Sequence, residues 1–197
     1  MNIQTVRKKA TYEDLCALPE NMVGQIVDGE LIAQPRPVLR HSIASNELSH
    51  QIRRPSRKGK GGPSGWIFAD EPELHFGEQV VVPDIAGWRK ENLVEHPQEK
   101  YTSIAPDWLC EILSPATAHY DKGAKRRIYG ENGVGYMWIL DPDALILEVF
   151  KFHEGHWMLL GTSEMGEQVS FEPFDAISFE FDVLFPLHKL EENGDEA

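Results

Sequence analysis

Hydrophobic and polar positions change their period several times along this chain, and each change marks an element. Thr11 can cap a helix, with Asp14 three residues on as an imperfect capping box, so a short helix is expected over residues 12–18, stopped by Pro19. Residues 24–28 and 30–33 flank Asp28-Gly29, a dipeptide that favours a tight hairpin turn. Pro35 and Pro37 end the second strand. Ile43, Leu48 and Ile52 then fall one or two helical turns apart, with Ala44 beside them, which predicts an amphipathic helix over residues 38–52. Residues 53–65 combine five bases with glycines and two prolines and read as a flexible loop.

Strand signals follow. Trp66-Ile-Phe-Ala69 is short and apolar, Glu73-Leu-His-Phe76 leads into a Gly77-Glu78 turn, and Val80-Val81-Val82 runs into Pro83-Asp84-Ile85-Ala86. Residues 92–105 are polar and read as a surface connection. Trp108-Leu-Cys-Glu-Ile-Leu113 is almost wholly apolar, which predicts a central strand buried on both faces. Ser114-Pro115 ends it, residues 117–131 read as a helix, and Asn132-Gly133 suits its C-cap. Tyr136-Met-Trp-Ile-Leu140 is a second buried strand, and residues 145–152 and 157–160 form a hairpin across Glu154-Gly155. His153 and His156 fall at that turn and read as exposed. This order predicts an α/β or α+β fold: a mixed central sheet flanked by helices, with extra antiparallel strands at the C-terminal end.

Composition narrows the class. A chain of 197 residues fits one domain, expected over residues 1–187, with an acidic and flexible tail over 188–197. Hydrophobic residues make up 41 % and mean hydropathy is -0.38, values of a globular protein rather than a disordered one. No apolar run reaches the length of a membrane span, and Arg7, Lys8 and Lys9 have no apolar stretch behind them as a signal peptide would. Cys16 and Cys110 lie far apart without a CxxC partner, which points to a reducing, cytoplasmic setting. The net charge of -13 argues against a polyanionic partner, but the charge is unevenly spread. Residues 141–197 hold fourteen acids and two bases, whereas residues 36–60 hold seven bases and one acid. A phosphate backbone could meet the middle of the chain while the acidic part stays away. Solvated helix faces are the alternative reading.

Two acids stand where acids are rare. Asp84 follows Val80-Val81-Val82-Pro83, and Glu111 lies inside Trp108-Leu109-Cys110 and Ile112-Leu113. Buried carboxylates are paired or bind metal, and hard divalent cations take oxygen ligands. A salt bridge to a basic helix residue is the alternative. Asp121, Lys125 and Tyr129 are spaced i, i+4, i+8, and a tight turn after Glu111 would bring their helix face back over the sheet. Lys125 could then stabilise charge on a phosphate. An exposed Asp121-Lys125 pair, worth only ~0.3–0.5 kcal/mol, is the bland counterpart. No glycine-rich phosphate loop is present, and Ser114 has no partner for a nucleophile's role.

Pro83-Asp84, Glu111-Ile-Leu-Ser-Pro115, Asp121, Lys125 and Tyr129, and Gly133-Val134 through Trp138-Ile-Leu-Asp-Pro142, in this order, resemble the Uma2-like (DUF820) family. Asp28-Gly29-Glu30-Leu31 and His41 fit its N-terminal half. That family is similar to the PD-(D/E)XK nucleases. The resemblance implies a restriction endonuclease-like fold and a Mg²⁺- or Mn²⁺-dependent endonuclease hydrolysing DNA. Asp84, Glu111 and the backbone carbonyl of Ile112 would hold the metal, with Lys125 as the catalytic cation. Glu30, His41, Asp121 and Tyr129 are secondary candidates, and Glu47 is another possible acid. Arg53, Arg54, Arg57, Lys58 and Lys60 would grip the phosphate backbone. Symmetric duplex cutting would suit a homodimer. Two departures stand out: Leu113 holds the lysine position of the acid-x-Lys pattern, and Tyr136 replaces a glutamate of the family's Gly-Val-x-Glu-Tyr-Trp. They keep a rival open, an inactive nuclease fold serving as a nucleic-acid-binding or assembly module. For the enzyme, Lys125→Ala is expected to remove cleavage with folding nearly intact, and Lys122 is expected on a different face.

Overall fold

A computed structural model describes residues 9–58, 65–93 and 100–188. Helix α1 (Tyr12–Cys16) carries the expected capping box, with Thr11 and Asp14 exchanging side chain-to-backbone bonds. Strands β1 (Met22–Val27) and β2 (Glu30–Pro35) form the expected hairpin. Its turn places Asp28 at φ 52° and Gly29 at φ 79°, the left-handed pair that a two-residue turn requires. Helix α2 (Leu39–Lys58) runs longer than the sequence predicts. Residues 53–58 continue the helix rather than starting a loop, because Ala44, Leu48 and Ile52 anchor one face in the core and carry the next turn with them.

Strands β3 (Trp66–Asp70), β4 (Glu73–Phe76), β5 (Gln79–Val81) and β6 (Ile85–Arg89) follow. Then come β7 (Tyr101–Thr102) and β8 (Trp108–Ile112). The expected helix after β8 is built in three joined pieces: α3 (Ala118–Tyr120), a π-helical turn (Asp121–Lys125) and α4 (Arg126–Glu131). Gly133 at φ 89° closes it, as a C-cap glycine does. Strands β9 (Tyr136–Asp141), β10 (Ile146–His153) and β11 (His156–Glu164) follow, then the short pair β12 (Gln168–Val169) and β13 (Phe179–Glu180).

The central sheet has the order β11-β10-β9-β8-β6-β3, with β8 and β9 parallel and the other neighbours antiparallel. A second sheet has the order β2-β1-β5-β4-β7. Side chains alternate across β8 and sort into two cores. Trp108, Cys110 and Ile112 pack with α2 and the C-terminal segment on one face. Leu109 and Leu113 pack with Ile128, Tyr129 and the second sheet on the other. Among the described residues no helix is long and apolar enough to cross a membrane. The expected acidic tail lies outside the described residues except for His188.

Candidate active site

Sheet parity puts the two acids on one face. Ala86 and Trp88 belong to the same core as Leu109 and Leu113, so Asp84, two residues before Ala86, faces the same side as Glu111. The register pairs Ile85 with Cys110, which brings Asp84 level with Glu111 one step further on. Asp84 itself is not in a strand. Pro83 lacks an N–H and breaks the ladder where the chain crosses from β5 to β6, so Asp84 sits at the seam between the two sheets. Its carboxylate takes over the missing ladder position: the Ile112 N–H donates to Asp84 Oδ2 at 2.6 Å. Both acids line one cleft of about 340 Å³.

The three-piece helix supplies the cation. Lys125 is 2 % exposed, and its Nζ lies 2.7 Å from Glu111 Oε1 and 2.8 Å from Asp121 Oδ1. Tyr129 donates its hydroxyl to Glu111 Oε1 at 2.5 Å. Asp121 and Tyr129 are buried with it. Lys122, on the same helix, is half-exposed and lies 3.7 Å from Glu148. The helix therefore presents one buried and one exposed lysine, on different faces.

His41, in the first turn of α2, is 6 % exposed. Its Nε2 lies 2.8 Å from the Ile112 carbonyl and 3.2 Å from Asp84 Oδ1. A sequence signal for this burial exists: positions 41, 44, 48 and 52 fall at i, i+3, i+7 and i+11, and all four are buried.

The charges are coupled. Burial, with Asp121 and Asp84 nearby, lifts the Glu111 carboxyl to about 8 against the pull of Lys125. Burial works against charge on Lys125, but Glu111 and Asp121 outweigh it and hold the ammonium above the ordinary lysine range. Burial likewise opposes charge on His41, yet Asp84 and the Ile112 carbonyl raise its imidazole above the usual histidine range. The Tyr129 hydroxyl is pushed well up by burial and by Glu111. With Lys125 charged between Glu111 and Asp121, and Asp84 also near Glu111, the Glu111 carboxyl is able to retain a proton near neutrality.

Among the described residues no three His, Cys, Asp or Glu side chains are grouped as metal ligands. The oxygen set implied by the family resemblance is instead two carboxylates and a peptide carbonyl. Two of those oxygens, Asp84 Oδ1 and the Ile112 carbonyl, converge on the Nε2 of a histidine held toward its charged form, a positive group standing where a cation would be attracted. This donor chemistry fits a hard divalent ion.

Other expected residues lie elsewhere. Glu30 is exposed at the opposite end of β2 from the cleft-lining Gln34 and Pro35. Glu47 does not line the cleft. Arg53 lines a pocket together with His41 and Asp84, and its guanidinium binds both oxygens of Asp70, with NH1 donating to Oδ2 at 2.9 Å. The side chains of Arg54, Arg57 and Lys58, and all of Lys60, lie outside the described residues. Leu113 is buried against the core, and Tyr136 donates to Glu172. Arg36, fixed between two prolines, and Arg40, both counted in the basic stretch, line the cleft; Glu71, at φ 45° just before Pro72, also lines it and escaped the sequence reading. The tripeptide Asp70-Glu71-Pro72 is a bend signal that could have flagged it.

The model of the family Uma2, described as "Putative restriction endonuclease", matches residues 10–183. The chain is also similar in structure to a "putative nuclease belonging to DUF820" from Anabaena variabilis ATCC 29413, with a TM-score of 0.71 and 22 % identity, over 89 % of this chain and 97 % of that one. No curated protein matches the chain.

Proposed function

The chain belongs to the Uma2 family of restriction endonuclease-like proteins, and from that membership we propose a divalent-metal-dependent nuclease that hydrolyses phosphodiester bonds of DNA. One observation carries the proposal: Glu111 on β8 and Asp84 just before β6 face one cleft, with Lys125 bonded to Glu111. Asp84, Glu111 and the Ile112 carbonyl would hold Mg²⁺ or Mn²⁺, which when bound would polarise the phosphate and acidify a water. The protein's own groups do the rest. Lys125 holds a permanent positive charge where negative charge grows on the phosphate. Tyr129 and Asp121 fix the two ends of that ion pair. The Ile112 N–H orients Asp84, and His41 can yield its proton as a cation enters. Arg36 and Arg40 at the cleft wall suit the flanking phosphates.

The binding-module reading has its own support, since each carboxylate already has partners within the protein. Calorimetric titration with Mn²⁺, paired with cleavage of single- and double-stranded DNA, separates the two. The nuclease reading expects an ion bound by the wild type, lost in Asp84→Asn and in Glu111→Gln, and cleavage that depends on it. Oligonucleotide binding with neither metal binding nor cleavage would establish the module instead.

A further inference from the structure

A second cavity, of about 650 Å³, lies beside the candidate active site and has no part in the chemistry above. We propose that it is a nucleobase subsite, receiving the unpaired base of a nucleotide next to the phosphodiester bond held in the cleft. The proposal rests on the nuclease reading and adds a substrate class to it: nucleic acid with an unpaired stretch.

The two cavities share a wall made of Val23, Glu71 and Val82. That wall is one residue thick at Val82, whose carbonyl lies 3.5 Å from Lys125 Nζ on the cleft side while the same residue lines the second cavity. Glu71 is exposed at the rim of both, and its backbone N–H donates to the Asp84 carbonyl at 3.0 Å. A chain with a phosphate in the cleft therefore needs only to cross this rim to reach the second cavity.

The lining suits a flat, uncharged body. Leu15, Leu18, Ile67 and Tyr101 contribute apolar surface, with Ile67 39 % and Tyr101 37 % exposed. Such exposed apolar area is what a base ring covers when it leaves the stack. The charged groups are mostly acids: Glu20, Glu71 and Glu73, with Asp70 held by Arg53, against Lys100. They would repel a second phosphate and accept from the ring and exocyclic N–H groups of a base. Glu73 is arranged for this, because Tyr12 and His75 both bond to Oε1 while Oε2 takes no hydrogen bond among the described residues. A paired base cannot enter, so a duplex must open locally or be single-stranded already.

The test needs neither metal nor turnover. A single-stranded oligodeoxynucleotide with one 2-aminopurine is titrated in EDTA against the wild type, Ala69→Phe, which fills the cavity, and Ile67→Ala, which removes part of its wall. An RNA version and a fully paired duplex run alongside. The expected result is tighter binding of the single strand than of the duplex, a 2-aminopurine emission change, and a loss of about tenfold in affinity in each variant. Ile67 is partly exposed, so Ile67→Ala decides the matter if Ala69→Phe does not fold. Equal affinity for single strand and duplex, or variants that bind like the wild type, overturns the subsite. If the wild type neither binds metal nor cuts while the variants still weaken binding, the subsite stands and the nuclease reading falls. If it cuts duplex DNA and the variants change nothing, the reverse holds. The RNA arm reports which sugar the adjoining path accepts.

Discussion

Lys125 is the residue on which catalysis and stability meet. Its ammonium is buried between Glu111 and Asp121, so Lys125→Ala would leave two buried carboxylates facing each other. Breaking a buried pair on one side costs about 3–5 kcal/mol. The expectation that this variant folds almost normally therefore does not hold: we predict a clear drop in melting temperature together with a ~10²–10³-fold loss of cleavage. Lys122→Ala, removing a half-exposed partner of Glu148, should change stability by less than about 0.5 kcal/mol in the same melts. Glu111 sets the pH dependence. Its carboxyl is raised from 4.5 to about 8 in the folded protein, so the folded state keeps a proton that the unfolded chain has released. The metal-free protein should be most stable below about pH 4.5 as far as this group is concerned, and should lose that contribution as pH rises toward 8. His41, also raised, slopes the same way above its ordinary value. Melting curves against pH should be flatter for Glu111→Gln than for the wild type, and a wild type that gains on the variant between about pH 5 and 8 would reverse the assignment. Divalent-ion affinity should move in the opposite sense, strengthening with pH as these protons leave.

Among the elements, the helix after β8 does most to build the site. A regular α-helix carries i, i+4 and i+8 round by about 40° at each step, whereas the π turn at Asp121–Lys125 is wider and brings Asp121, Lys125 and Tyr129 all into the interior. Gly123 sits in that turn, and a Cβ there would meet nothing within 4 Å. Gly123→Ala should raise stability by up to ~1 kcal/mol by helix propensity alone, leaving the site untouched. Deleting Gly123 should do the opposite. Removing one residue closes the π turn to an α turn, which leaves Asp121 and Lys125 at i, i+3 and rewinds the helix on one side of the deletion, so that the ammonium cannot keep both Asp121 and Glu111. Thermal melts of the two variants moving in opposite directions would identify the π turn as a positioning device. A deletion variant as stable as the wild type would show that the turn has no such role.

At the scale of the molecule, charge decides what can approach. Arg53 pairs with Asp70 and Arg40 with Asp143 at 3.2 Å, and of the basic stretch 36–60 Arg36 and Arg40 line the cleft. Neutralising both should flatten the salt dependence of duplex binding, by ~0.9 log units of slope for each phosphate that the protein no longer neutralises. An unchanged slope, measured by binding at several salt concentrations, would move the nucleic-acid surface away from the cleft. Much of this architecture was legible along the chain. Asp28-Gly29 sets a hairpin through local backbone sterics, the apolar run of β8 requires burial on both faces, and Asp84 and Glu111 stand out because carboxylates are rare in such surroundings. Those are properties of neighbouring residues, and sequence records neighbours. The sequence could not decide whether Lys125 pairs in the interior or on an exposed face, since that follows from how the helix is wound and where it packs. Nor could it show that His41 joins Asp84 to the Ile112 carbonyl, that Asp70 engages Arg53, or that Glu71 borders two cavities. His41 and Ile112 stand 71 positions apart, Arg53 and Asp70 17 apart, and only the closing of the two sheets against α2 brings such residues within bonding distance.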